Sequence, residues 1–231
     1  MSRLSRRTLL QRMGGIGAAT AIASSALRGT PPEWSMAPPE LGGVVSLDGK
    51  WQFRLDPKGV GESEGWHLAK APSEGWSDAT VPGTWQVSPE AAGYQGVAWY
   101  RRTFEVPASW AAKMVRIEFE AVTHSATVWL NDKLLGKHLR KGYTAFTFDI
   151  SSALRPDGPN HLVVKVDNSF DQDMLPRGKS YDWTVDGGII RPVRLLVNPQ
   201  ILIERVAIDC QPDLQSDRAE LGMRVFLRNA S

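Results

Sequence analysis

Apolar and polar side chains alternate along most of this chain, and that period of two limits the possible folds more than any other feature. Trp51, Phe53 and Leu55 alternate, then Val115, Ile117, Phe119 and Ala121, then Ala126, Val128 and Leu130. Phe146, Phe148 and Ile150 follow, then Leu162, Val164 and Val166, then Val193, Leu195 and Val197. A strand sends successive side chains to opposite faces, so each run predicts a strand with one face in a core. Asp48-Gly49, Asn131-Asp132, Asp157-Gly158-Pro159 and Gly187-Gly188 punctuate the runs with turn chemistry. No long segment carries helical spacing. Short strands and frequent turns without intervening helices predict an all-β antiparallel sandwich or jelly roll. They argue against a (β/α)8 barrel, which takes about 250 residues to itself.

Composition adds limits. The 231 residues suffice for one sizeable domain and part of another. Apolar residues make up 42%, enough for a packed core. Nine tryptophans either fill such a core or line a sugar-binding face. A single cysteine, Cys210, excludes an internal disulfide. His67, His124, His138 and His161 lack metal-ligand spacing, and no glycine-rich phosphate loop leads from a strand into a helix. Neither a metal nor a cofactor is expected.

The formal charge of +2 is unevenly placed. Residues 1–26 hold Arg3, Arg6, Arg7 and Arg12 and no acid, so without them the 27 basic residues fall to 23 against 25 acidic ones. A body of charge −2 offers no footprint for nucleic acid. Ser5-Arg6-Arg7-Thr8-Leu9-Leu10-Gln11 resembles a twin-arginine export signal. A weakly apolar run from Met13 to Leu27 follows, with small residues at Ala21-Ile22-Ala23 and Ser24-Ser25-Ala26 that suit signal peptidase. That run is too short for a convincing membrane span. The expected location is therefore periplasmic or extracellular, with no membrane attachment after signal removal. A basic N-terminus without a signal is the alternative.

Four prolines between Thr30 and Pro39 read as a flexible mature N-terminus over 27–40. The sandwich is expected over 41–200. Within it, residues 57–98 read as a long packed loop carrying Trp66, Trp76 and Trp85, whose rings either serve function or seal the sandwich. From Ile201 a second unit starts, with Ile201, Ile203, Val206 and Ile208 on one strand and Leu221, Met223, Val225 and Leu227 on another. Two strands are marginal alone in water, so 201–231 reads as the opening of an interrupted domain.

Six ordered motifs carry a family resemblance. They are Leu47-Asp48-Gly49-Lys50-Trp51-Gln52-Phe53, Val81-Pro82-Gly83-Thr84-Trp85, Trp99-Tyr100-Arg101-Arg102-Thr103-Phe104, Phe119-Glu120-Ala121-Val122 through Val128-Trp129-Leu130-Asn131-Asp132, Asn160 to Asn168, and Asp182-Trp183-Thr184-Val185-Asp186-Gly187-Gly188-Ile189-Ile190-Arg191. Together they resemble the N-terminal sugar-binding domain of glycoside hydrolase family 2, the β-galactosidase, β-glucuronidase and β-mannosidase group. The order of the motifs carries the specificity. Three positions depart from the pattern. Asp132 replaces the usual hairpin glycine, Ala121 replaces a glycine, and Gly96 stands where some galactosidases carry a sugar-contacting asparagine, which counts against galactose.

The resemblance implies a galactose-binding-like jelly roll followed by the first strands of an incomplete immunoglobulin-like sandwich. It implies carbohydrate as partner, together with a catalytic barrel that this sequence lacks. The family's two catalytic glutamates sit on that barrel, so no catalytic residue is expected here. Retaining glycosidases hold such carboxylates about 5–5.5 Å apart. Glu118 and Glu120 share one strand face and read as outward residues.

In relatives, the aspartate matching Asp182 reaches into the barrel's active site and bonds sugar hydroxyls; a turn-capping role before Gly187-Gly188 is the alternative. Trp183 and Tyr143 suit stacking on a sugar or packing in the core. Arg177 suits substrate contact or a solvated face. Trp51, Trp85, Asn131, Gly187, Gly188 and Arg191 read as structural. Two rival classes remain at this point, a stand-alone carbohydrate-binding module and a purely structural exported sandwich. Neither the sugar nor the oligomeric state is legible.

Overall fold

A computed structural model describes residues 43–156, 158–170, 172–174, 186–216 and 218–229. Among the described residues fourteen strands run in order: β1 (Gly43–Ser46), β2 (Gly49–Asp56), β3 (Ser77–Val81), β4 (Val97–Phe104), β5 (Met114–Phe119), β6 (Val122–Thr123), β7 (Ser125–Leu130), β8 (Lys133–His138), β9 (Phe146–Asp149), β10 (Asn160–Asp167), β11 (Gly188–Ile189), β12 (Val193–Asn198), β13 (Ile201–Asp213) and β14 (Arg218–Asn229). A four-stranded sheet of order β1-β12-β5-β9 faces a six-stranded sheet of order β3-β2-β4-β10-β7-β8, and every pairing is antiparallel. This is the expected jelly-roll sandwich.

The predicted inward faces meet between the sheets. Trp51, Phe53, Tyr100, Val128, Leu162, Val164 and Val166 from the larger sheet pack with Val115, Ile117, Phe119, Val193, Leu195 and Val197 from the smaller. Trp51 is buried and its indole N–H donates to Leu47 O at 2.8 Å, so a large ring enters the core with its polar atom satisfied. Trp85 lies in the same core and donates to Tyr94 O at 3.2 Å.

Asn131 and Asp132 turn between β7 and β8 with φ of 51° and 72°. Both residue types tolerate this left-handed region, so the hairpin survives without its usual glycine. The Asn131 amide also donates to Ala153 O and Asn160 Oδ1, and its oxygen accepts His161 N–H at 2.9 Å. It therefore joins three segments as well as making the turn.

The loop expected over 57–98 contains an edge strand, β3, that its polar sequence hid. Ser77-Asp78-Ala79-Thr80-Val81 pairs with β2 from Gly49 to Phe53. The preceding excursion lies on the outer face of the larger sheet. There Trp66, Trp99, Trp129 and Val163 form a second apolar cluster, with Trp76 packed against it. Asp56 anchors this layer. Its buried carboxylate accepts Val60 N–H and Gly61 N–H at 2.8 and 2.9 Å and the Trp99 indole at 3.0 Å. Trp66 and Trp76 thus cover the outside of a sheet, while Trp85 alone of the three enters the space between sheets.

β13 and β14 form a separate long hairpin. Ile203 pairs with Leu227, Val206 with Val225, Ile208 with Met223 and Cys210 with Leu221, all on one face. Val206 follows Ile203 by three positions, a spacing that would normally flip the face. A register shift between Ile203 and Arg205 absorbs the extra residue as a bulge, so one continuous apolar face results.

Candidate functional site

The site lies where β10 ends and the chain runs on to β11. Arg177, Asp182 and Trp183 fall in that connection, outside the described residues. Both of its described ends are anchored. At the start, Gly96 N–H donates to Asn168 Oδ1 at 2.8 Å and Asn168 N–H donates to Gly96 O at 3.2 Å. Gly96 adopts φ +144°, and a β-carbon there would stand 2.9 Å from the Tyr94 hydroxyl. An asparagine at this position would be strained, which gives the glycine a local physical reason.

At the far end, β11 pairs with β6 through Gly188 with Thr123 and Ile189 with Val122. Trp85 N–H donates to Gly187 O at 2.9 Å, Gly83 N–H to Ile189 O at 2.8 Å, and Gly187 N–H to Gln86 Oε1 at 2.9 Å. A β-carbon on Gly187 would lie 2.0 Å from the Trp85 ring. One on Gly188, whose φ is +139°, would lie 2.6 Å from Gly83 O. Backbone must approach an indole and a carbonyl this closely, and glycine alone permits it. The two glycines therefore fix where the chain re-enters the sandwich.

Arg191 follows this corner in the chain. Its side chain is exposed and forms no hydrogen bond or ion pair among the described residues. Backbone bonds and glycine–indole contact already hold this corner.

Beside the corner stands Tyr143, half-exposed on the connection from β8 to β9. Its ring meets His124 edge-on at 6.2 Å. Sequence reasoning passed over His124 because it lacks metal-ligand spacing. It is buried, as is Thr123, and among the described residues neither its two ring nitrogens nor Thr123 Oγ1 has a hydrogen-bond partner. Burial lowers the imidazole's pKa, with the Asp167 carboxylate opposing it, so the ring is neutral near pH 7 and presents one donor and one acceptor. Gly142 leaves room beside it, since a β-carbon there would stand 2.9 Å from His124 Nδ1. The signal that could have found this pair is the two polar residues between Val122 and Ser125, where alternation breaks.

Glu120 is engaged elsewhere, in an ion pair with Arg194 at 2.5 Å, and Glu118 stands opposite Arg194 across β12. The two acids belong to the exterior of the smaller sheet. The described rim thus presents an aromatic edge beside a rigid corner, with the neutral His124 and Thr123 buried beneath it. That chemistry suits orienting a polyhydroxylated ligand.

Comparison with known proteins agrees with this architecture. Residues 44–199 match the model of the glycosyl hydrolases family 2 sugar binding domain. A β-galactosidase of Thermoanaerobacter pseudethanolicus is 37% identical over 105 residues, covering 45% of this chain and 14% of the relative. A β-glucuronidase of Bacteroides fragilis is 26% identical over 163 residues, covering 69% of this chain and 21% of the relative. Among solved structures, a β-glucuronidase from an uncultured Clostridium superposes with a TM-score of 0.74 at 29% identity, over 82% of this chain and 34% of that one. The Ruminococcus gnavus β-glucuronidase, solved with an N1-substituted uronic isofagomine, gives 0.74 at 25% identity over 83% and 35%. The chain spans about a fifth or less of these curated relatives. By the extent of the family match and the sandwich that carries it, the chain belongs to glycosyl hydrolase family 2 through its sugar-binding domain.

Proposed function

We propose that this chain is the non-catalytic N-terminal portion of an exported family 2 glycosidase and supplies one edge of its sugar pocket. The observation that carries this reading is the anchored connection between β10 and β11. Asn168 is tied to Gly96 at one end and Gly187 is tied to Trp85 and Gln86 at the other. Fixed ends of this kind are what a binding edge requires. In this reading Asp182 accepts sugar hydroxyls, a task suited to a carboxylate. Trp183, Arg177 and Tyr143 complete the edge. The apolar face of the β13–β14 hairpin opens a following immunoglobulin-like sandwich, and the catalytic glutamates come from a barrel beyond it. Arg6 and Arg7 direct export.

In a barrel-containing chain, Asp182→Ala is expected to lower kcat/KM by roughly tenfold or more, the scale of losing a charge-assisted substrate bond. Unchanged turnover would overturn the sugar-edge role. The purified 231-residue chain is expected to leave nitrophenyl glycosides intact, and measurable hydrolysis would refute the non-catalytic assignment. Replacing Arg6 and Arg7 together with lysine should strand the protein in the cytoplasm; envelope recovery of that variant would refute the export route.

A further inference from the structure

A second concave site lies on the outer face of the larger sheet, at the other end of its strands. Cross-strand register aligns Gln52 with Asp78 on β3 and with Arg101 on β4, and Thr103 with His161 on β10. Lys50, two residues before Gln52, points to the same outer face. The result is two polar rows across four adjacent strands. The excursion wall, from Leu68 to Ser73, encloses them in a groove of about 530 Å³. That volume falls within the range of about 300–1,000 Å³ typical of small-ligand sites.

The groove is held in shape before any ligand arrives. Its wall is fastened by Ala69 N–H donating to Asp132 Oδ1 at 2.6 Å, and by the Asp56 carboxylate further along. Arg101 is held in place too. Its guanidinium lies 4.2 Å over the Trp76 ring, and it donates to Gln52 Oε1 at 2.6 Å and to Pro72 O at 3.2 Å. Those two bonds use Nε and Nη1 and leave Nη2 toward other partners.

Charge in the groove is one-sided. Lys50 and Arg101 have no carboxylate within ion-pair distance among the described residues, and Asp78 is the one acid in the lining. Partial burial, together with the nearby Arg54 charge, lowers the pKa of Arg101. An anion there would relieve that repulsion. A body that is slightly acidic overall therefore concentrates free cations, a carboxamide and hydroxyl-bonding groups at one preformed depression. We propose that this groove binds the carboxylate-bearing sugar of an acidic glycan, with Arg101 and Lys50 on the carboxylate and Gln52, Asp78 and His161 on ring hydroxyls.

This site is distinct from the proposed sugar pocket. β10 carries His161 near its first residue and Asp167 at its last, roughly 20 Å apart at strand rise, and the pocket's connection leaves from the Asp167 end. The groove would hold a polymer on the domain while another unit occupies the pocket.

The test is titration of the full 231-residue chain with a tetramer of glucuronic acid and, separately, with neutral cellotetraose, followed by backbone amide NMR. At low salt the acidic tetramer is expected to bind roughly tenfold tighter than the neutral one, and added salt should weaken it. Shifts should centre on Gln52, Arg101 and His161. Lys50→Gln and Arg101→Gln should each weaken binding about fivefold or more, in line with a lost charge-assisted bond. Val44→Ala, exposed on β1 of the smaller sheet and outside both sites, should leave it unchanged. Equal affinity for the two tetramers, absence of binding, or acidic binding indifferent to both groove substitutions would overturn the proposal. Binding lost in Tyr143→Ala but kept in Arg101→Gln would overturn it while supporting the sugar pocket, so the two readings fail separately.

Discussion

The sandwich and the β13–β14 hairpin are written in the same sequence pattern and have opposite fates. On β10, Leu162, Val164 and Val166 alternate and are all fully buried. On β13, Ile201, Ile203 and Ile208 follow the same kind of pattern and remain about 60% exposed. Alternation specifies which residues share a face. It does not specify that a second layer lies over that face. In the sandwich the smaller sheet supplies the layer, and even the outer face of the larger sheet gains one from the tryptophan excursion. Among the described residues the hairpin has the face and lacks the cover.

Several substitutions sharpen this contrast, and the largest effect belongs to the core. Leu162→Ala should destabilise the chain by about 2–5 kcal/mol, read as a lower urea midpoint, because a buried cavity opens between sheets. An unchanged midpoint would mean the sheets are not packed as described. Gly187→Ala should cost about 1–3 kcal/mol, since its methyl group must displace the Trp85 ring. Asp56→Ala should cost a similar amount, about 1–3 kcal/mol, by leaving two backbone N–H groups and an indole without their acceptor. Near-UV circular dichroism should show the Trp99 environment loosening in that variant.

His124 gives the contrast a pH axis. Its pKa is lowered in the folded chain, so the unfolded chain binds a proton first as pH falls. Stability from this group is complete well above the unfolded histidine pKa of about 6.5 and declines below it. His124→Gln should flatten that part of the pH–stability curve; an unaltered curve would assign the decline to other groups. The smallest effect is expected on the hairpin. Ile208→Ala should change stability by no more than about 0.5 kcal/mol, as surface substitutions usually do. A core-sized loss there would show that the face is already covered in solution.

The architecture was legible because each inward run is long enough to repeat its period several times. β2, β5, β7, β10 and β12 all follow from alternation. β3 was not legible. Its Ser-Asp-Ala-Thr-Val has little apolar content, because an edge strand needs to bury only part of one side. The destinations of the tryptophans were also hidden. Trp66 and Trp85 are alike in sequence terms, and the anchoring by Asp56 and the Gly187 contact decide which sheet face each ring meets. At the candidate site, Gly187 and Gly188 announced a corner, but the surface they pack against lies far earlier in the chain, at Trp85 and at Gln86, which is 101 positions before Gly187. His124 and Thr123 gave only a break in alternation. Their burial comes from the β6–β11 pairing and the Tyr143 loop, which are tertiary facts.

Cys210 extends the hairpin observation in a practical direction. It is the chain's single thiol, it is exposed, and it sits opposite Leu221 on the apolar face. The rate at which it reacts with a maleimide therefore works as a clock for that surface. Fast labelling reports a face open to water; slow labelling reports contact with another layer. The unaltered sequence carries its own probe, so assembly on the hairpin can be timed without introducing a label.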